Sequence, residues 1–283
     1  MLGAFDYVRA HSVDGACDLL AEAGGDASIL AGGTDLLVEI RNGLRSPKLL
    51  LDVKSIDELA RFEVDGPEVI IGAAVPLNVL VEHRAIRTSL PALADAAFSV
   101  GTYQIRNRAT LTGNVCNASP AADTAPVLLC LDAHVSVVSS SGRRAIPIGE
   151  LFTGVKRTCL TPNEIVTDIR IHAPTGGTRT AFLKQQRIRG HDLAVVNVAG
   201  SYAPDTEMLK VAVGSCAPTP VLLEPIDVSG NSLESIGNRV ITLAEAATSP
   251  ISDVRASAAY RRAVLPVLLR RLLDRLLDGR GGL

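Results

Sequence analysis

The chain alternates short apolar runs with stretches of helical periodicity, the order expected of mixed α/β units. Over residues 1–54, Ser12 precedes Ala16, Leu19, Leu20 and Ala23, which share one helix face, and Gly24 with Gly25 stops that helix. An apolar run at 27–30 leads into Ala31-Gly32-Gly33-Thr34-Asp35, a helix-like 36–40 with a stop at Gly43, and the apolar 49–51. This pattern predicts a βαβ-like first unit.

A second unit is expected over 55–173. Ser55 and Glu58 have capping-box spacing, residues 68–72 read as a strand, Pro76 suits a first helical turn, and 89–100 predicts an amphipathic helix. A polar loop is expected at 110–123. A hairpin follows, with arms at 135–138 and 145–148, and then a strand at 164–171. Pro174, Thr175, Gly176, Gly177 and Thr178 mark a linker. The third unit, 178–283, predicts strands at 181–187, 193–202 and 209–213, then helices at 233–247 and 255–277. The arginine-rich end of the last helix reads as an ordinary amphipathic helix on a small sheet. There is no internal repeat. The whole order predicts an α+β protein.

Composition narrows the functions. With 283 residues and 47% hydrophobic content, the chain can build several cores. A net charge of −2 gives no basic field for nucleic acid, and no run is long and uncharged enough to span a bilayer. No secretory leader is evident, so a cytoplasmic protein is expected. The five cysteines, Cys17, Cys116, Cys130, Cys159 and Cys216, are widely spaced with no Cys-x-x-Cys, which points away from a disulfide framework, zinc or an iron–sulfur cluster on this chain. Cys116 is expected to be a small packing residue.

Two stretches carry candidate chemistry. Gly32 and Gly33, between strand and helix, let main-chain amides converge on an anion, and the helix start adds partial positive charge. About eighty residues later, small and polar residues crowd the stretch from Thr110 through Thr112, Gly113, Asn114 and Ser119 to Asp123. Such loops in adjacent units suit a long diphosphate clamped between them, and FAD meets that need. No Gly-x-Gly-x-x-Gly, P-loop, nucleophile elbow or His-Glu-x-x-His is present.

These stretches, with Gln104-Ile105-Arg106-Asn107 before the second and Phe182 to Arg187 with Asp192-Leu193-Ala194 later, resemble the FAD-binding medium subunit of the molybdenum hydroxylases, the carbon monoxide dehydrogenase and xanthine dehydrogenase family. The resemblance spans nearly the whole chain. It implies a two-subdomain FAD-binding fold of the PCMH type, 1–54 and 55–173, plus a C-terminal subdomain, 178–283, of a small antiparallel sheet packed with helices. It also implies that Ala31, Gly32, Gly33, Thr34 and Asp35 cradle the pyrophosphate, and that Gly113 and Asn114 face it from the second unit. Thr110, Thr112 and Ser119 are placed in the same site. Asp123 is expected to bond cofactor hydroxyls, and Lys184 to reach the flavin region. Thr112 stands where the family has the first glycine of a pair, so a position needing positive φ would be compromised. The implied function is an FAD-carrying electron-transfer subunit, inactive towards substrate alone. It would work with a small subunit carrying [2Fe-2S] clusters and a large subunit carrying the molybdopterin cofactor, in a dimer of heterotrimers. Two other readings stay open: a free-standing FAD-dependent reductase of the UDP-N-acetylmuramate type, and a scaffold without flavin.

Overall fold

The computed structural model describes residues 4–174, 177–188 and 190–277. Thr175 and Gly176 of the expected linker lie outside the described residues. Near the start, Ser12 Oγ accepts a hydrogen bond from Gly15 N at 3.1 Å and so caps α1 (Val13–Ala23), which Gly24 ends in the left-handed conformation, φ 57°. The first sheet is parallel, in the order β1 (Asp6–Arg9), β3 (Leu49–Asp52), β2 (Ala27–Leu30), with α2 (Leu36–Arg41) crossing from β2 to β3. Buried Ala16, Cys17 and Leu20 of α1 pack with Leu51 and Val53.

The second sheet is five-stranded and antiparallel. Its order is β4 (Phe62–Glu63), β5 (Glu68–Gly72), β10 (Ile165–His172), β6 (His134–Ser139), β7 (Gly142–Pro147). Between β5 and β6 run α3 (Leu77–Glu82), α4 (Arg84–Ser89), α5 (Pro91–Ser99), α6 (Tyr103–Arg106), α7 (Leu111–Cys116) and α8 (Thr124–Cys130). A short α9 (Ile148–Leu151) and the hairpin of β8 (Phe152–Gly154) and β9 (Arg157–Thr158) follow β7.

Three sequence expectations are corrected here. Ser55 and Glu58 form no capping box: a 3-10 turn, Asp57–Ala60, starts after Ile56 with no side-chain cap. The single helix expected at 89–100 is broken, because Pro91 disfavours the helical conformation at Leu90, whose φ and ψ are −132° and 53°. Most of α5 is buried rather than amphipathic, with Ala92, Leu93, Ala94, Ala96 and Ala97 all inside. The stretch 110–123 is not simply a loop, since Thr110 caps α7 through its side chain.

The C-terminal sheet is antiparallel, in the order β11 (Arg179–Gln185), β12 (Val196–Ala203), β13 (Met208–Gly214), β14 (Val221–Leu222), with β15 (Ile226–Asp227) also on β13. Its two faces are occupied differently, as the period-two alternation of strands requires. Phe182, Ala199 and Ala212 lie in register across three strands and join the core of the second unit. Val198, Val211 and Val213 face the other way, into a core shared with α10 (Leu233–Ala247) and α11 (Ala258–Leu277). The last helix runs through Pro266 and buries Leu265, Leu268, Leu269, Leu272, Leu273 and Leu276. Its arginine-rich face is the outer side of an ordinary packed helix, and among the described residues no helix is long and apolar enough to cross a membrane.

Candidate functional site

A cleft separates the first unit from the second. Ala31, Gly32, Gly33, Thr34 and Asp35 line one wall, and Thr110, Gly113 and Asn114 the other. The tertiary fold therefore brings together eight of the twelve expected site residues, from stretches about eighty positions apart.

The first wall follows from β2 ending at buried Leu30 and the chain turning at Gly33, φ 72°. Leu37 N then donates to Gly33 O at 3.1 Å and α2 begins. Asp35 precedes α2 without capping it through its carboxylate; its carbonyl accepts from Glu39 N at 2.9 Å, as Gly33 O does from Leu37 N. The two glycines have different jobs. A Cβ on Gly32 would sit 2.2 Å from Arg108 O and 2.9 Å from Ala109 Cα, so Gly32 lets the two units meet backbone to backbone. Gly33 supplies the positive φ, and a Cβ there would meet Leu30 Cδ1 at 2.7 Å.

The second wall differs from the sequence expectation. Thr110 Oγ1 accepts from Gly113 N at 2.9 Å, and Thr110 O accepts from Asn114 N at 3.0 Å. Both of these amides are thus used inside α7. What Asn114 offers is its side chain. Thr124 Oγ1 donates to Asn114 Oδ1 at 2.6 Å, which orients the amide, and among the described residues its Nδ2 has no partner. Thr112 is buried with helical backbone, so its position needs no glycine, and its Oγ1 has no hydrogen-bond partner. Gln104-Ile105-Arg106-Asn107 proves to be an internal clamp. The buried Arg106 guanidinium donates to the carbonyls of Phe98, Val100 and Gly101 and to Asn78 Oδ1, at 2.8 to 3.2 Å, and lies over the Phe98 ring. This fixes the segment after α5, where Val100 lines the cleft.

Thr112, Ser119, Asp123 and Lys184 do not line the cleft. Ser119 Oγ accepts from Ala121 N at 3.3 Å within its own turn. Asp123 is buried and fully engaged: Oδ2 accepts from Ser99 Oγ at 2.8 Å and Lys184 Nζ at 2.6 Å, while Oδ1 accepts from Asn197 Nδ2 at 2.9 Å. Burial pushes the Asp123 carboxyl up, against the pull of the Lys184 ammonium and of its hydrogen bonds. The structure thus gives both residues protein partners.

Sequence reasoning missed Glu39, Arg45 and Asn117, which also line the cleft, and Lys156, which bonds two of them. Nothing in the local sequence of 154–157 marks that lysine, because its relevance depends on where a hairpin tip lands. Cys116 lines the cleft as well, and burial pushes its thiol up to about 12, so it stays protonated and inert. Among the described residues no group of His, Cys, Asp and Glu is placed to hold a metal ion.

Two family descriptions match consecutive parts of the chain: the FAD binding domain in molybdopterin dehydrogenase over residues 3–174, and the CO dehydrogenase flavoprotein C-terminal domain over 181–276. The carbon monoxide dehydrogenase medium chain of Hydrogenophaga pseudoflava is 31% identical, with 95% of this chain and 96% of the relative covered. The nicotine 6-hydroxylase medium subunit of Paenarthrobacter nicotinovorans is 32% identical, with 96% and 97% covered. In the solved structure of reconstituted CO dehydrogenase from Oligotropha carboxidovorans, a 30% identical chain superposes with a TM-score of 0.91, covering 98% of each chain. Fold, paired loops and full-length similarity agree, and the chain belongs to the FAD-binding medium subunits of the molybdenum hydroxylases.

Proposed function

We propose that the chain holds one FAD noncovalently in the cleft between its first two units, receives electrons from a [2Fe-2S] subunit and delivers them to an external acceptor. Substrate oxidation would take place on a large molybdopterin-bearing subunit, and the three chains would form a heterotrimer that pairs. The observation that carries this reading is the placement of the Ala31–Asp35 turn opposite Thr110, Gly113 and Asn114 across one cleft. A Cβ at Gly32 would force the walls apart, and the small residues on both sides leave room for an extended diphosphate.

In this reading the amides of the turn before α2 hold the pyrophosphate, with Asn114 Nδ2 as a donor from the opposite wall. Thr110 acts indirectly, by capping α7 and fixing Asn114. Asp123, Lys184 and Ser119 support the site from behind. Thr112 fills the core beneath α7. When bound, FAD supplies redox chemistry in one- and two-electron steps. The chain's own residues bind it, orient it and keep water from it.

The test uses the complex purified from its source. Acid or heat denaturation should release intact FAD from this subunit. FMN, a covalent adduct or no flavin would overturn the reading.

A further inference from the structure

Glu39, on α2 of the first unit, is a half-buried carboxylate with two cations on it. It accepts from Arg45 Nε at 2.7 Å and from Lys156 Nζ at 3.2 Å. Lys156 belongs to the turn of the β8–β9 hairpin, far away in sequence, and its Nζ also donates to Asn117 Oδ1 at 2.6 Å. Asn117 follows α7, on the opposite wall. One ammonium thus bonds residues from both walls of the cleft, Glu39 and Asn117.

The hairpin tip is built to hold that ammonium there. Lys156 N donates to Ala118 O at 3.0 Å, and Lys156 and Ala118 both have left-handed backbone, φ 56° and 46°. Non-glycine residues take this conformation at a cost, so tertiary contacts are what hold these two segments against each other. Two cations, Arg45 and Lys156, share the Glu39 carboxylate, while Asp35 lines the same cleft.

We propose that Lys156 is a latch between the two walls of the cleft that slows release of the bound dinucleotide. The proposal rests on the reading of this cleft as the FAD site. Gly32 joins the walls through the backbone at one place, and Lys156 joins them through a side chain at another. The second joint can open without unfolding either unit, because it is one partly exposed ammonium held by a carboxylate and an amide.

The experiment measures flavin release from the assembled complex after dilution, by the rise in flavin fluorescence. Lys156→Ala should release flavin about two- to fivefold faster than wild type at low salt, the factor expected for one partly exposed ion pair. Lys156→Arg should restore slow release. Raising salt from about 0.05 M to about 0.5 M should speed the wild type and close the gap between it and Lys156→Ala. Equal release rates at low salt, or a wild-type rate indifferent to salt, would overturn the latch while leaving the FAD site intact. A wild type without flavin would instead overturn the reading of the cleft. Lys156→Gly suits the left-handed backbone and removes the same ammonium, so it stands in if the alanine variant melts early. Failure of both to fold would show the lysine to be a structural part of the hairpin and would also overturn the latch.

Discussion

Lys184 Nζ lies 2.6 Å from Asp123 Oδ2, and each side chain is more than nine-tenths buried. The pair joins β11 of the C-terminal sheet to the start of α8 in the second unit, with Ser99 and Asn197 completing the bonds around the carboxylate. A buried charge left without its partner is costly, whereas removing both charges together is often tolerated. Asp123→Ala is therefore expected to lower stability by about 3–5 kcal/mol. Lys184→Met should cost less, since the orphaned carboxyl can take up a proton. Combining Asp123→Ala with Lys184→Met should give a loss smaller than the sum of the two single losses, by about 1–3 kcal/mol in denaturant unfolding. Strict additivity would show that the pair is not coupled.

The neighbouring glycines Gly32 and Gly33 should respond in different ways. At Gly32 a methyl would meet rigid backbone at Arg108, so Gly32→Ala is expected to cost more than about 3 kcal/mol and to empty the flavin site. At Gly33 the obstacles are the flexible ends of Leu30 and Leu37, and the main penalty is the left-handed backbone. Gly33→Ala should cost about 1–2 kcal/mol. Unfolding curves and flavin content of the two variants decide the order, and a larger loss at Gly33 would contradict the backbone seam.

Thr112 has an unpartnered buried hydroxyl in a helix. Replacing it with the nearly isosteric Thr112→Val removes that hydroxyl and should raise stability by about 1 kcal/mol. Thr112→Gly, the residue usual in the family, should lower it by about 0.3–0.5 kcal/mol through helix propensity, with a further loss from the vacated buried methyl. Thermal melting distinguishes these outcomes, and a stabilising glycine would mean that the position is strained.

Acid should loosen the C-terminal subdomain through Asp192 and Asp253. The paired hydrogen bonds from Arg187 hold the Asp192 carboxyl well below its ordinary value. At Asp253 burial works upward, but bonds from Arg255, from the amides of Arg255 and Ala256, and from the buried Arg261 outweigh it and hold that carboxyl low as well. A carboxylate depressed on folding stabilises fully above its unfolded value, about pH 3.9, and loses that contribution as pH falls towards the folded value. Wild type should therefore lose stability below about pH 4 more steeply than Asp253→Asn, while the variant should already be weaker at about pH 7. Parallel pH profiles from denaturant unfolding would remove Asp253 from this role.

Much of the fold was legible because its signals are local. Ser12 and Gly24 bracket α1 by capping chemistry within one turn, and the alternation in 209–213 marks β13. The Gly32-Gly33 pair after an apolar run announced a turn that leads into a helix, and the family motifs supplied its meaning. Pro91 also carried a local signal, and the break at Leu90 follows from the proline rule that the amphipathic pattern over 89–100 obscured.

The rest depended on distance in space. Small polar residues from Thr110 onward read as a loop, and only the fold shows Thr110 capping a helix and using up the Gly113 amide. Asp123 and Lys184 stand 61 positions apart, and their mutual burial is a property of how the C-terminal sheet docks, which no local pattern encodes. Lys156 is the clearest case: a lysine in a turn is ordinarily a solvated charge, and this one matters because its hairpin ends against Asn117 and Glu39. Local propensity and periodicity wrote the elements into the chain, while the pairing of charges and the walls of the cleft came from packing between units.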